Sequence, residues 1–199
     1  MGNVRVKGYT FMQIMTRDCL IQDILGDLRR RKMVYLQAPC GWGKTVLLHQ
    51  LEEHIGRERC TFIHNAEMIR NHWGMEHAYD LDSDSRDEIF LVDNLGEWVM
   101  AGNMDLLLNY IQNQKPESKL VLAGRIPLPA QLLPYKITSQ ISIYNKNQLK
   151  YSEKELDTIF GKEYKGDREQ MREMYEICQG MPLFLAVAEG VLEGALIND

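Results

Sequence analysis

"MVYLQAPCGWGKTVLLHQL", residues 33–51, joins an apolar run to a stretch of helical spacing through a loop holding two glycines, a lysine and a threonine. The run at 33–37 has strand length and no helical period. Leu47, Leu48, Leu51 and Ile55 then make one helical stripe, which Gly56 stops. The loop between them, "APCGWGKT", follows the Walker A order G-x-G-K-T, with Ala38 standing where the strict pattern has its first glycine. Gly41 and Gly43 give the main chain the freedom to turn successive N–H groups inward around phosphate oxygens. Lys44 is placed to bridge the outer phosphates and the Thr45 hydroxyl to ligate Mg²⁺. Pro39 fixes the chain as it leaves the strand, and Trp42 and Val46 flank the phosphate-facing residues. A helix beginning at Lys44 adds the positive potential of its N-terminus.

Working outward, further β-rich runs occur at 60–64, 89–93 and 119–124, with a weaker one at 140–144. Continuous apolar strands of this kind suit a parallel sheet covered on both faces. Helical stripes alternate with them: Leu20, Ile21, Ile24, Leu25 and Leu28 before the first strand, and Met104, Leu107, Leu108 and Ile111 before the fourth. The expected class is α/β, a parallel sheet flanked by helices. Past residue 148 the strand signal stops. Ser152 and Glu155 form a capping box, Asp167 opens a helix that Gly180 stops, and Pro182 suits the first turn of a third. These breaks divide the chain into a nucleotide-binding domain over 1–148 and a small helical subdomain over 149–199.

Two strand ends carry chemistry. "EIFLVDN" ends in Asp93, an acid expected at the tip of a strand neighbouring the loop, where it reaches Mg²⁺ directly or through water. Asn94 follows it, where many P-loop ATPases have an acid that activates water, and an amide cannot accept that proton. Glu97 is one turn further on. "KLVLAGR" places Arg125 just past a strand tip, positioned to approach a γ-phosphate. ATP or ADP with Mg²⁺ is therefore the expected ligand, and hydrolysis is expected to be slow or conditional.

Composition narrows the field. The 199 residues are 45% hydrophobic and 26% charged with a net charge of −5, ordinary for a globular protein and unlike a nucleic-acid binder, which presents a basic surface. The one basic cluster, Arg29 to Lys32, ends a predicted helix, where it complements the helix dipole. No apolar run approaches a membrane span, and the N-terminus reads as neither a secretory nor a myristoylation signal. Cys19, Cys40, Cys60 and Cys178 form no C-x-x-C pair, which suits reduced thiols in a cytoplasmic protein.

"APCGWGKT", "FLVDN", "LVLAGR" and "QGMPLFLAVA", in that order, resemble the nucleotide-binding module of STAND signal-transduction ATPases. The likeness is greatest to large LuxR-type transcriptional activators of the maltose-activator kind, whose loops commonly read A-P-x-G-x-G-K-T. The resemblance implies that "TRDCLIQDIL" is the opening R-x-x-L segment, with Arg17 and Leu20 near the nucleotide's entrance. It implies that Gly180 to Pro182 form the G-x-P sensor of a helical lid, with Pro182 near the adenine, and that Arg125 is the sensor arginine. It further implies a switch that self-associates on activation and reaches DNA only through regions beyond these 199 residues. Two other functions fit the motifs less well: an AAA-like ATPase or kinase driven by hydrolysis, and a non-catalytic scaffold with a vestigial loop.

Asp80, Asp82 and Asp84 alternate as at the start of a calcium loop, but Ser85 and Leu91 fall where its turn glycine and bidentate glutamate belong, so the stretch reads as a solvated loop. His64, His72 and His77 lack metal-ligand spacing and read as packed or surface residues.

Overall fold

A computed structural model describes residues 16–69, 89–113, 118–156 and 168–185. The sheet has five parallel strands: β1 (Met33–Gln37), β2 (Cys60–Ile63), β3 (Ile89–Val92), β4 (Lys119–Gly124) and β5 (Ile141–Asn145), in the order β2-β3-β4-β1-β5. All five sequence runs form strands, with ends shifted by at most one residue.

Side-chain alternation along β1 sends neighbouring residues into two separate cores. Val34 and Leu36 join Leu20, Ile21, Ile24 and Leu28 of helix α1 (Asp18–Arg30) and Leu47, Leu48 and Leu51 of α2 (Lys44–Ile55). Met33 and Tyr35 face the other way. They pack with Leu95 and Trp98 of α3 (Leu95–Met100) and with Met104, Leu107 and Leu108 of α4 (Met104–Asn113). With helices on both faces, the central strands β1, β3 and β4 must be apolar on both sides, which is why their runs carry no polar alternation.

The order of strands corrects one expectation. β3, which leads to Asp93, is not the neighbour of β1; β4 lies between them and pairs with both. Asp93 still reaches the loop because parallel strands all end on the same edge. Arg125 leaves the intervening strand at that edge, between the two.

After β5 come α5's successor in the chain, the one-turn α6 (Lys146–Leu149), then a helical turn over 153–156, α7 (Arg168–Cys178) and a helical turn over 182–185; α5 itself is Leu133–Ile137, between β4 and β5. No strand follows residue 145 among the described residues. The Ser152–Glu155 capping box forms: the Ser152 N–H donates to Glu155 Oε2 at 2.7 Å and the Glu155 N–H to Ser152 Oγ at 3.2 Å. Residues 70–88, with the calcium-like stretch, His72 and His77, lie outside the described residues, as do Asp167 and the chain past 185. His64 stacks on Phe62 at 5.0 Å. Among the described residues no helix is long and apolar enough to cross a membrane.

Candidate functional site

β1 runs directly into the glycine loop. The Ala38 N–H donates to the Gly124 carbonyl at 3.2 Å, so the loop departs from the sheet anchored to β4. Gly41 and Gly43 both have positive φ, 82° and 69°, and Gly43 is the residue from which α2 starts. These are left-handed conformations that a side chain disfavours, which accounts for glycine at both positions.

Lys44 is buried, and its Nζ donates to the carbonyls of Ala38 at 2.7 Å and Pro39 at 2.8 Å. The ammonium thus spans the loop from inside. Burial pushes its pKa down and the Arg125 charge pushes the same way; Asp93 and Cys40 oppose them. Arg125 itself is exposed and directly follows β4.

The Thr45 hydroxyl donates to Asp93 Oδ2 at 2.6 Å, joining residues 48 positions apart. The other oxygen, Oδ1, accepts the Asn94 N–H at 2.7 Å. A hydroxyl and a carboxylate side by side at the start of a helix are hard oxygen donors of the kind Mg²⁺ takes, usually with several retained waters and phosphate oxygens. The residues therefore fit that ion. Asn94 sits in the left-handed region at φ 52°, where Asn is among the few tolerated side chains, and it precedes α3. Glu97 lies in the first turn of α3, exposed, with its N–H on the Asn94 carbonyl at 2.8 Å.

The segment after α7 lies directly on the loop. The Leu183 N–H donates to the Gly41 carbonyl at 3.0 Å, and Pro182 Cγ lies 3.4 Å from where a Cβ on Gly43 would stand. A Cβ on Gly41 would come within 2.5 Å of Met181 Cε and 3.0 Å of Leu183. Gly180 has φ 72° with the Tyr151 main chain packed against its Cα, and the Tyr151 N–H donates to the Gly180 carbonyl at 2.8 Å.

Arg17, Trp42, Val46, Tyr151 and Pro182 line a crevice beside the loop whose open volume is about 10 Å³. That is room for about one water molecule, so a purine enters only if a wall moves. Trp42 also lines a wider cleft of about 630 Å³, together with Lys146, Lys150, Met181 and Phe184, and so borders both spaces. The guanidinium of Arg17 is turned toward the linker after α6: it donates to the carbonyls of Leu149 at 2.6 Å and Lys150 at 2.9 Å, contacts Glu155 at 3.4 Å, and lies 4.2 Å over the Tyr151 ring.

Lys44, Thr45, Asp93 and Arg125 thus converge on one sheet edge, and Arg17, Trp42, Val46 and Pro182 gather around the adjoining crevice. Sequence reasoning missed Tyr151, which stacks on Arg17 and backs Gly180, because one aromatic beside a capping box carries no signal of either contact.

Among solved structures the chain is similar to a Walker-type ATPase of Pyrococcus abyssi, at 13% identity and a TM-score of 0.57, covering 93% of this chain and 75% of that one. It is also similar to AMPPCP-bound DnaA from Aquifex aeolicus, at 11% identity and a TM-score of 0.55, covering 90% of this chain. The chain spans about three fifths of that DnaA chain, 61%. No family model and no curated protein matches it. The fold is that of the P-loop NTPases.

Proposed function

We propose that the chain is the ATP/ADP-binding switch module of a STAND-type regulator of the LuxR-like kind. The observation that carries the proposal is the 2.6 Å contact between Thr45 and Asp93 beside a loop whose lysine is already directed inward. In this reading the 1–148 part binds the phosphates and the 149–199 part acts as a lid. The triphosphate lies on the main-chain amides from Gly41 to Thr45, Lys44 exchanges its two carbonyl partners for phosphate oxygens, and Thr45 and Asp93 hold Mg²⁺. When bound, the ion would supply neutralisation of the phosphate charge. Arg125 contacts the γ-phosphate, and the purine lies between Trp42, Val46 and Pro182, with Arg17 fixing the lid's hinge nearby. AMPPCP-bound DnaA, a protein of the same fold, lends support to the nucleotide.

Because the lid touches the loop through Leu183 and Pro182, a ligand that enlarges or reshapes the loop region moves the lid. ATP and ADP then bias its position by their different contacts at Arg125. Turnover is slow, since the Asn94 amide takes no proton from water. Self-association on activation, contact with DNA through regions beyond these residues, and a cytoplasmic setting complete the proposal.

Calorimetric titration of ATP and ADP into the chain and into a Lys44→Ala variant tests it. Loss of roughly 100-fold in affinity is expected from removing a charge-assisted contact to phosphate. Equal affinities in the two proteins would instead favour the scaffold, and fast single-turnover hydrolysis by the unaltered chain would favour a hydrolysis-driven ATPase.

A further inference from the structure

Tyr35 is a fully buried residue in the middle of β1, yet it carries a hydroxyl. It pairs in register with Leu122 of β4. Strand side chains lean along the strand direction, and this one reaches past the end of β4. Its hydroxyl donates to the Ile126 carbonyl at 2.7 Å, across 91 residues of sequence. The path is open because residue 124 is glycine: a Cβ there would stand 2.6 Å from the Tyr35 hydroxyl and 3.1 Å from Leu95 Cβ. Ile126 in turn places a methyl 3.5 Å from the point a Cβ on Gly96 would occupy, in the first turn of the helix that follows Asp93.

Arg125 is the residue between these two restraints. Gly124, before it, is paired to Gln37 in the sheet; Ile126, after it, is tied to Tyr35 and packed toward α3. An exposed arginine on a free strand end explores many rotamers and many main-chain directions, and ordering it on a ligand costs that freedom. Pinning the peptide on either side removes the main-chain part beforehand.

We infer that Tyr35, with Gly124 leaving room for its hydroxyl, is a positioning residue that aims Arg125 at the terminal phosphate and so sets the preference for ATP over ADP. The inference rests on the proposed reading of Arg125 as the γ-phosphate contact. Burial pushes the Tyr35 phenol up to about 12, so it remains a proton donor throughout the neutral range.

The test is the ratio of ATP to ADP affinity in Mg²⁺, measured by calorimetry on the full chain and on Tyr35→Phe, Arg125→Ala and the double variant. Phenylalanine keeps the ring's packing and deletes only the hydroxyl, and a melting curve followed by circular dichroism confirms that each variant is folded. Tyr35→Phe is expected to lower the ratio about fivefold, the scale of one hydrogen bond, while ADP affinity stays unchanged. In the Arg125→Ala background the same substitution is expected to change nothing. Gly124→Ala, which places a methyl where the hydroxyl passes, is expected to lower the ratio as Tyr35→Phe does. If Arg125→Ala lowers the ratio but Tyr35→Phe leaves it unaltered, or lowers ATP and ADP affinity equally, Tyr35 is purely structural and the inference falls. If Arg125→Ala itself leaves the ratio unaltered, the reading of Arg125 as the phosphate sensor falls, and the positioning role falls with it.

Discussion

Two cationic side chains, both buried, hold opposite positions in this molecule. Arg17 is held by two linker carbonyls, the Glu155 carboxylate and the Tyr151 ring, each more than a hundred residues away. Among the described residues the hydrogen bonds of the Lys44 side chain go to carbonyls of its own loop, five and six residues back. Arg17 therefore ties the start of α1 to the linker after α6, and its contacts cannot be exchanged without opening that junction. Lys44 ties nothing distant together, and burial pushes its pKa down, so the folded protein disfavours its charge. A cation whose hydrogen bonds go to carbonyls of its own loop can exchange them for an anion without breaking a long-range contact. In the proposed reading, the difference between a structural and a ligand-directed charge lies in who its partners are, more than in how buried it is.

The comparison can be broken or sharpened by substitution. Arg17→Ala is expected to have the largest effect, costing about 3 kcal/mol in urea unfolding, because a buried carbonyl, a part-buried carbonyl and a carboxylate lose their donor together. A loss below about 1 kcal/mol would show that the junction is held by other contacts. Lys44→Ala is expected to do the reverse, abolishing most nucleotide affinity while changing unfolding by less than about 1 kcal/mol, since it removes a charge the fold disfavours. Gly180→Ala comes next: a positive φ and the Tyr151 main chain leave no place for a methyl, so about 2 kcal/mol of stability is expected to be lost. Its cost should largely vanish in the Arg17→Ala background if both act on one junction, which a double-mutant cycle measures.

The smallest effect concerns pH. Burial pushes the Tyr35 phenol from its ordinary value near 10 up to about 12 in the fold. Its raised value means that burial of the neutral phenol stabilises the fold fully below pH 10, and that this contribution is lost as pH climbs toward 12. Tyr35→Phe is accordingly expected to flatten the alkaline part of the stability curve, read from denaturant midpoints between pH 9 and 12.

Much of the sheet was legible because its three central strands, β1, β3 and β4, are apolar on both faces and stand between turn or cap signals; Met33–Gln37 and Lys119–Gly124 match residue for residue. Strand order was not, since β4's place between β1 and β3 depends on long-range pairing that local patterns do not encode. α3 was missed as a helix because six residues are too few to display a period. At the site, Lys44, Thr45 and Asp93 announced themselves through spacing. Arg17's attachment to Leu149 and Lys150 did not, because main-chain carbonyls carry no sequence signal, and Tyr35 read as one more apolar strand residue.

The most direct measurement is calorimetric titration of ATP with and without Mg²⁺ into the folded chain and an Asp93→Asn variant. Binding heat is expected for the unaltered chain, strengthened by Mg²⁺, with that strengthening lost when Asp93 becomes an amide. A folded chain that gives no heat with ATP, or whose affinity ignores Mg²⁺ in both proteins, would contradict phosphate and ion binding at the Gly41–Thr45 loop.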